Sequence, residues 1–276
     1  GESWEVAARE NGNSRIRNGR MAGKTLFEAI EENPIEILGY SSMGKGGFQF
    51  PLLCKFIDAS DDLSIQVHPN NAQAALMEGP QGSGKSEMWY VVDAEPDARL
   101  IYGLKSSVTA EEFVRAVSEG TLEDYVNYVP VKKGDAFFIP AGTLHAIGQG
   151  ILIAEIQQNS DTTYRVYDYM RRDEEGRTRP LHIEKALEVA NFFGVEGDGK
   201  VNMDEGVVCD YFQVYRRNLK GIQEIAVSSE HFQVIMILEG SGKIDGIPFR
   251  KGDSILLPAA GETVGLEGRA VYLQIL

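Results

Sequence analysis

Four side chains with metal-binding chemistry stand at spacings that could bring them to one point. Gln66 and His68 lie two residues apart in the alternating segment 63–69, so a β-strand would turn both to the same face. Glu87 begins a second strand-like segment, and His145 follows a third. Imidazole and carboxylate groups suit a divalent metal, and zinc is the first choice for a site without redox work. The pattern predicts one divalent-metal site, in which an amide oxygen from Gln66 is the least common type of ligand.

Each of these residues, taken alone, has an ordinary structural explanation. A single histidine on a strand more often makes a hydrogen bond in the core or at its rim, and a single glutamate is more often a surface carboxylate. The combination of His, Glu and His at strand spacing is what favours a metal site. The other two histidines, His182 and His231, have no such neighbours, and we interpret both as structural.

The segments around the site predict the elements that position it. Strand patterns precede and follow residues 106–129, which are predicted to be a helical insert because Thr109 and Glu112 form a capping-box pattern. Residues 181–193 have the apolar spacing of an amphipathic connecting helix. The chain is therefore expected to be mainly β-structure with a small helical part.

An internal repeat predicts a second unit of the same type. The turn Lys133-Gly134-Asp135 and Pro140 recur 118 residues later as Lys251-Gly252-Asp253 and Pro258. The position equivalent to His145 is Thr263, so the second unit is predicted to bind no metal. We expect two barrels: a metal-binding catalytic domain over residues 1–195 and a metal-free domain over residues 203–276.

Composition narrows the kinds of partner. The formal net charge is −14 and the sequence pI is about 4.8, which disfavours binding to nucleic acid. Phosphorylated small molecules are also repelled at long range, so an anion site must be built from a few local lysines and arginines. There is no secretory pattern and no apolar run near 18 residues. We expect a cytoplasmic protein with no membrane partner; its oligomeric state is not predicted.

Five segments together resemble type I mannose-6-phosphate isomerases, in the short bacterial form of that cupin family. They are FPLLCKFIDA at 50–59, LSIQVHP at 63–69, GKSEMWY at 84–90, IPAGTLHAI at 139–147 and QNSDTTYRVYDY at 158–169. The resemblance covers nearly the whole chain and implies two cupin-type jelly-roll barrels. It also implies one Zn²⁺ per chain and interconversion of mannose 6-phosphate and fructose 6-phosphate through an enediol.

The same resemblance implies roles for single residues. It makes Gln66, His68, Glu87 and His145 the metal ligands, and it makes Lys85 and Arg165 active-site residues. Lys85 lies two residues before Glu87, on the same face of a strand. The planar fork of an arginine at 165 suits paired substrate oxygens. Without the resemblance, Arg165 would be interpreted as a surface residue paired with a nearby aspartate.

Three alternatives remain open from the sequence. A cupin of this build could isomerise another sugar phosphate, such as glucose 6-phosphate. It could also be a non-catalytic sugar-phosphate-binding cupin or sensor, which would bind without turnover. A cupin dioxygenase would need iron and would consume oxygen. The set of ligands together with Lys85 and Arg165 favours the isomerase.

Overall fold

The computed structural model describes residues 1–42 and 49–276. Its contacts divide the chain into two compact units, one of Gly1–Ser3 with Lys55–Val201 and one of Trp4–Cys54 with Asn202–Leu276. The early segment therefore groups with the C-terminal part of the chain. Contact grouping does not test which segments make up a functional domain, so the division into 1–195 and 203–276 stays a prediction.

The described chain is mainly β-structure, as predicted. The strands are β1 (Glu2–Val6), β2 (Ala8–Arg9), β3 (Gly12–Asn13), β4 (Leu52–Ala59), β5 (Ile65–Val67), β6 (Glu87–Ala94), β7 (Arg99–Leu104), β8 (Val126–Pro130), β9 (Ala136–Ile139), β10 (His145–Ala146), β11 (Ile151–Gln158), β12 (Tyr164–Tyr167), β13 (Val207–Val208), β14 (Gln213–Ala226), β15 (Gln233–Ile244), β16 (Ile247–Arg250), β17 (Ser254–Leu257) and β18 (Thr263–Ile275). The α-helices are α1 (Leu26–Glu32), α2 (Pro34–Leu38), α3 (Asn71–Met77), α4 (Ala110–Glu119) and α5 (Ile183–Val189), with short 3₁₀ helices at Tyr40–Ser42 and Leu122–Asp124. Across the described ranges, no helix has the length and apolar character needed to span a membrane.

Two five-stranded sheets, most of whose residues belong to the first unit, pack face to face. Their strand orders are β1-β4-β11-β6-β9 and β12-β5-β10-β7-β8. Trp89 and Phe137 of the first sheet and Leu100 of the second belong to one buried cluster between them. Neither sheet closes on itself within the described residues, so the predicted barrel is an open two-sheet arrangement of the jelly-roll kind.

Alternation along the strands of the second sheet decides what faces its interior. Val67 and Ile101 point to the outer face, where they share a buried cluster with Phe113 of α4 and Ala186 of α5. Because side chains alternate along a strand, Gln66 and its neighbours in the row face the opposite way, towards the first sheet. The helices thus cover one face and leave the polar row inside.

The predicted helical insert is confirmed at its core. The Thr109 side chain accepts from the backbone of Glu112 while the Glu112 side chain accepts from the backbone of Thr109, and α4 ends at Gly120 in the left-handed conformation, with φ 74°. The connecting helix is shorter than the predicted 181–193. It stops because Ala190 is extended, with φ −70° and ψ 140°.

The repeated Lys-Gly-Asp turn has the same backbone hydrogen bonds in both units. In each copy the glycine N–H donates to a strand carbonyl, and the N–H of that strand residue is bound by the carbonyl of the aspartate. The bonds are Gly134 N to Val91 O (2.9 Å), Val91 N to Asp135 O (2.8 Å), Gly252 N to Ile237 O (2.8 Å) and Ile237 N to Asp253 O (2.9 Å). The repeat found in the sequence is therefore a repeat of structure.

The second unit contains a six-stranded sheet in the order β13-β14-β18-β15-β16, with β17 paired to β15. Its longest ladder joins β14 to β18 over their full lengths. Ile235, Ile237, Leu266 and Tyr272 are among the residues that form its buried core. The periodic strands read from the sequence after residue 203 are thus present, although they are fewer and longer than the pattern of short strands predicts.

The turn glycines give a test of this architecture. Gly252 has φ +87° with no atom within 4 Å of an added Cβ, so Gly252→Ala strains only the backbone and should cost about 1–2 kcal/mol. Urea unfolding, followed by tryptophan fluorescence and circular dichroism, should show a lower midpoint. Gly265→Ala is the matched control, because Gly265 lacks a positive φ and its nearest neighbour would lie at 3.5 Å. Equal midpoints for the two variants would contradict the assignment of the turn.

Candidate active site and metal centre

His68, Glu87 and His145 converge inside the first unit. Glu87 Oε2 lies 3.5 Å from His68 Nε2, and Glu87 Oε1 lies 3.3 Å from His145 Nε2. One possible ligand atom from each residue lies within 4.8 Å of the others. The three side chains are almost completely buried. The structure therefore brings together the three residues on which the metal-site prediction most depends.

The strands explain how residues so distant in sequence meet. Glu87 is the first residue of β6, and His145 is the first residue of β10. His145 is directly opposite Gln66 on β5, and His68 follows the end of that strand. The site thus lies between the two sheets, with Glu87 from one sheet facing the two histidines from the other.

Backbone carbonyls fix the orientation of both imidazole rings. His68 Nδ1 is 3.0 Å from the carbonyl of Thr162, and His145 Nδ1 is 2.8 Å from the carbonyl of Thr143. A carbonyl only accepts, so each Nδ1 carries the proton and each Nε2 keeps a free lone pair. Burial lowers the pKa of His68 to about 3 and also lowers the pKa of His145. Both rings are therefore neutral near pH 7.

Those protonation states make the cluster a set of acceptors that face one another. Among the described residues, His68 Nε2 and Glu87 Oε1 are buried without a hydrogen-bond partner, while Glu87 Oε2 faces the Lys85 ammonium group. Acceptors this close repel unless a cation lies between them, and buried unsatisfied groups are costly. Two neutral imidazoles and a carboxylate are also the usual donor set for a divalent transition metal. The residues present fit a metal ion.

Gln66 lies beside this cluster. Its Nε2 is 3.3 Å from His145 Nε2, and a rotation of the amide would exchange its nitrogen and oxygen. The predicted residue is therefore in place, with its amide next to one of the two imidazoles. Coordination through its oxygen stays a prediction.

Lys85 is buried and its ammonium group lies 3.1 Å from Glu87 Oε2. Burial alone would lower the pKa of Lys85, but the negative charges of Glu87 and Glu155 outweigh burial and raise it. Lys85 is consequently a fixed cation next to the cluster. Burial likewise opposes ionisation of Glu87, yet the positive charge of Lys85 holds the pKa of Glu87 well below its usual range.

Arg165 lies in the same row of the second sheet as Gln66 and His145. It is paired with Gln66 across β12 and β5, and Gln66 is paired with His145 across β5 and β10. Residues directly opposite each other share a face, so Arg165 is directed towards the same interior from the edge strand. Its Nε donates to Ser64 Oγ at 3.2 Å and its Nη1 to the carbonyl of Pro180 at 3.1 Å. It is thus tethered by neutral groups, and the aspartate pair expected of a surface arginine is not what holds it.

Comparison with known proteins identifies the family. Residues 1–97 match the family model of the type I phosphomannose isomerase catalytic domain, and residues 202–275 match the mannose-6-phosphate isomerase cupin domain. The chain is 41% identical to the mannose-6-phosphate isomerase ManA of Bacillus subtilis (strain 168), over 98% of this chain and 87% of that protein. The chain belongs to the type I mannose-6-phosphate isomerases.

Two further relatives agree with this placement in the isomerase family. A mannose-6-phosphate isomerase of Streptococcus mutans is 39% identical, over 94% of this chain and 82% of that protein. The crystal structure of the mannose 6-phosphate isomerase from Bacillus subtilis superposes with a TM-score of 0.87 at 36% identity, and the match covers 100% of this chain and 89% of that one. The predicted mainly β, cupin-type fold and the prediction of an isomerase are therefore confirmed.

Two buried charged residues beside the candidate site were not identified from the sequence. Lys55 and Glu155 are buried between the sheets, where Lys55 Nζ lies 3.3 Å from Glu155 Oε1 and Trp89 Nε1 donates to Glu155 Oε2 at 3.1 Å. Burial, and then the charge of Glu87, raises the pKa of Glu155. The signal was available, since each is a charged residue within an otherwise apolar strand segment.

A group of arginines within residues 171–180 was also not identified from the sequence. They line an open cavity of about 620 Å³ together with two aspartates. The arginines are Arg171, Arg172, Arg177 and Arg179. Arg171 and Arg179 both bind the buried carboxylate of Asp168. Four arginines in nine residues of an acidic chain are the sequence signal that indicates this cluster.

The second unit has amides where the first has acids. By the shared turn and register, Gln233 on β15 opposite Leu257 occupies the place of Glu87 opposite Ile139. Gln274, opposite Ile235, occupies the place of Glu155 opposite Trp89. Gln274 Nε2 donates to Gln233 Oε1 at 2.8 Å, and Gln233 Nε2 donates to the carbonyl of Ala226 at 2.9 Å. The absence of metal from this unit stays a prediction, supported by this neutral, internally bonded pair.

Removing the charge of Glu87 should empty the metal site. In Glu87→Gln the carboxylate becomes an amide of equal size, and metal per chain after gel filtration should fall from about one to near zero. Added metal should raise the melting temperature of the unaltered protein but not that of the variant. When free metal is 100 times Kd, the gain in the free energy of unfolding should be about 2.7 kcal/mol.

The exposed Glu188 supplies the control. Glu188→Gln should keep a full complement of metal in the same plasma-emission measurement. A Glu87→Gln protein that still holds one metal per chain would show that the cluster is not the binding site.

Proposed function

We propose that the protein interconverts mannose 6-phosphate and fructose 6-phosphate at one zinc ion per chain, held by His68, Glu87 and His145 with Gln66 as the fourth ligand. The observation that carries the proposal is the convergence of three buried side chains that present acceptor atoms to one point, in a chain of this isomerase family. Two nitrogens and a carboxylate favour zinc over magnesium or calcium, which prefer oxygen ligands.

The proposed reaction moves a proton between C1 and C2 of the open-chain sugar through an enediol. The chemistry that zinc supplies when bound is Lewis-acid polarisation of the sugar oxygens, which lowers the energy of the negative charge that develops on them. The chain's own part is to present fixed positive groups in a site shielded from water, where such groups act most strongly.

Lys85 and Arg165 are proposed to be those groups. Lys85 is buried and charged beside Glu87, so it can donate hydrogen bonds to substrate oxygens without first losing a hydration shell. Arg165 shares the interior row with Gln66 and offers a planar pair of donors. Each is held by other protein groups before substrate arrives, which reduces the entropy lost on binding.

The arginine cluster beyond Arg165 is proposed to receive the phosphate. The Arg165 guanidinium contacts the carbonyl of Pro180, and Pro180 lines the cavity of the four arginines. The lining of that cavity has four arginines against two aspartates, and Arg171, Arg177 and Arg179 also pair with carboxylates. In a chain with a net charge of −14, this small local excess of positive charge is what the cavity offers to an anionic substrate. A six-carbon sugar phosphate could then place its carbonyl end near the metal ligands and its phosphate near the arginines.

The alternatives are weaker on the same observations. A sensor that only binds sugar phosphate has no need for a desolvated lysine against a metal-ligand carboxylate. An isomerase for glucose 6-phosphate would use the same groups, and the family match decides for mannose 6-phosphate. A cytoplasmic location stays a prediction.

Removal of metal should abolish turnover reversibly. After exhaustive chelation the protein should neither form fructose 6-phosphate from mannose 6-phosphate nor catalyse the reverse reaction, and added Zn²⁺ should restore both. A coupled assay with mannose 6-phosphate and, in parallel, glucose 6-phosphate measures the rates. Glu87→Gln serves as the control that zinc should not rescue.

Each contrary result has a clear meaning. Full turnover by the metal-free protein would remove zinc from the function. Tight binding of mannose 6-phosphate without turnover by the zinc-loaded protein would favour the sensor, and equal or better turnover of glucose 6-phosphate would change the assigned substrate.

Replacing Arg165 should reduce turnover without loss of metal. Loss of one preorganised donor in a site of this kind costs about 10²–10³-fold in rate, so Arg165→Ala should lose that much of kcat/KM. Arg165→Lys should recover only part, because an ammonium group cannot replace the fork.

Arg115→Ala, at an exposed position of α4, is the matched control and should behave like the unaltered enzyme. Normal kcat/KM for Arg165→Ala, at unchanged metal content, would take Arg165 out of the mechanism.

A further inference from the structure

The segment Pro180 to His182 makes hydrogen bonds with both the backbone and the side chain of Arg165. The backbone N–H of Arg165 donates to His182 Nδ1 at 3.1 Å, and the backbone N–H of His182 donates to the carbonyl of Arg165 at 2.8 Å. The Arg165 guanidinium donates to the carbonyl of Pro180 at 3.1 Å. Three hydrogen bonds thus join one arginine to two residues of this segment, two of them to His182 and one to Pro180.

The position of Arg165 explains why such support is needed. Within the part of the chain that the structure describes, β12 is the edge strand of its sheet and pairs with β5 alone. The pairing of β12 with β5 also shifts register between Arg165 and Tyr167, so the ladder is irregular directly after the arginine. On the open side of an edge strand, the N–H and carbonyl would otherwise be exposed to solvent. His182 occupies that side with one ring acceptor and one backbone donor.

We infer that His182 is a positioning residue. Its neutral Nδ1 holds the backbone of Arg165, so that the guanidinium is directed along the interior row towards the candidate metal ligands. The inference rests on the proposed role of Arg165 in turnover. His182 itself is not expected to touch the substrate or the metal. The interpretation of this histidine as merely structural is thereby replaced by a role that acts through a named neighbour.

The surroundings of His182 keep its ring in the form that can accept. The charged and titratable groups that face it are Arg165 and Tyr164 from β12, Lys185 from α5 and Glu78 from the end of α3. Burial, followed by the positive charges of Arg165 and Lys185, lowers the pKa of His182, while Glu78 acts in the opposite direction. Protonation would use the lone pair that accepts from Arg165 and would add a like charge beside it. The support is therefore present above this pKa and is lost as pH falls through it.

Two amide substitutions of His182 differ in whether they can accept the hydrogen bond from the Arg165 N–H. In His182→Asn the amide oxygen can stand close to the position of Nδ1, whereas in His182→Gln the amide is one bond farther out and misses the Arg165 N–H. The Gln variant should lose about 10- to 100-fold in kcat/KM, the scale of a small misplacement of a substrate-binding group. The Asn variant should retain most of the activity, and both should carry one metal per chain.

A double-mutant cycle with Arg165→Ala tests the route by which His182 acts. In the Arg165→Ala background, His182→Gln should cause no further loss of kcat/KM. If His182→Gln alone is fully active, or if it costs the same in both backgrounds, the inference is overturned. If Arg165→Ala is itself fully active, the proposed role of Arg165 fails, which is a different result from the failure of His182.

The pH dependence of kcat/KM is a second test, because a purely structural role of His182 would not change it. This test uses only the unaltered enzyme and the Asn variant, so it remains informative if the Gln variant does not fold. The unaltered enzyme should lose kcat/KM on the acid side partly through His182, while His182→Asn has no group there to protonate. The ratio of kcat/KM for the unaltered enzyme to that for the Asn variant should fall as pH is lowered. A ratio that is constant with pH would overturn the inference.

Discussion

The structure of the first unit is organised around the repulsion of three acceptors that the fold forces together. Two backbone carbonyls, from Thr143 and Thr162, fix which nitrogen of each imidazole carries the proton. The remaining nitrogens then point at a carboxylate that also has nothing to donate. In a buried space this arrangement is unfavourable by itself. The proposed divalent cation would convert each of these repulsions into a bond, so its binding would contribute to the stability of the folded state.

The two-sheet architecture makes that arrangement possible. A row of side chains directly opposite one another across β12, β5, β10 and β7 places Arg165, Gln66, His145 and Tyr102 on one interior face. Helices cover the other face of the same sheet through an apolar cluster. Along the same short strands, alternate residues therefore supply the polar side chains of the site and the apolar side chains of the core. A shift of register by one residue would exchange the two and destroy both.

Much of this could be predicted from local patterns in the sequence. The alternation around Gln66 and His68, the Thr109–Glu112 capping box and the repeated turn are all short-range signals, and the structure contains each of them. The convergence of His68, Glu87 and His145 was also predicted, because strand spacing limits the faces on which they can lie.

What the sequence did not reveal depends on pairing between distant strands. Lys55 and Glu155 become a buried pair only because β4 and β11 are neighbours in one sheet, and no local pattern states that. The arginines of 171–180 form a cluster because Asp168 gathers two of them. The same limit applies to the grouping of residues 4–54 with the C-terminal strands, and to the three hydrogen bonds that join Arg165 to the segment after the loop.

Gln233 and Gln274 show that the equivalent interior positions of the second unit are occupied by neutral side chains. At the places where the first unit has two carboxylates, the second has two amides, and each amide can donate as well as accept. Their hydrogen bonds to each other, to Ala226 and to Arg217 leave this pair satisfied by the polypeptide alone. With the proposed metal, the stability of the first unit would depend on metal supply, while the corresponding interior of the second unit would not. Metal depletion would then lower the unfolding temperature of the first unit and leave the hydrogen bonds of the Gln233–Gln274 pair unchanged.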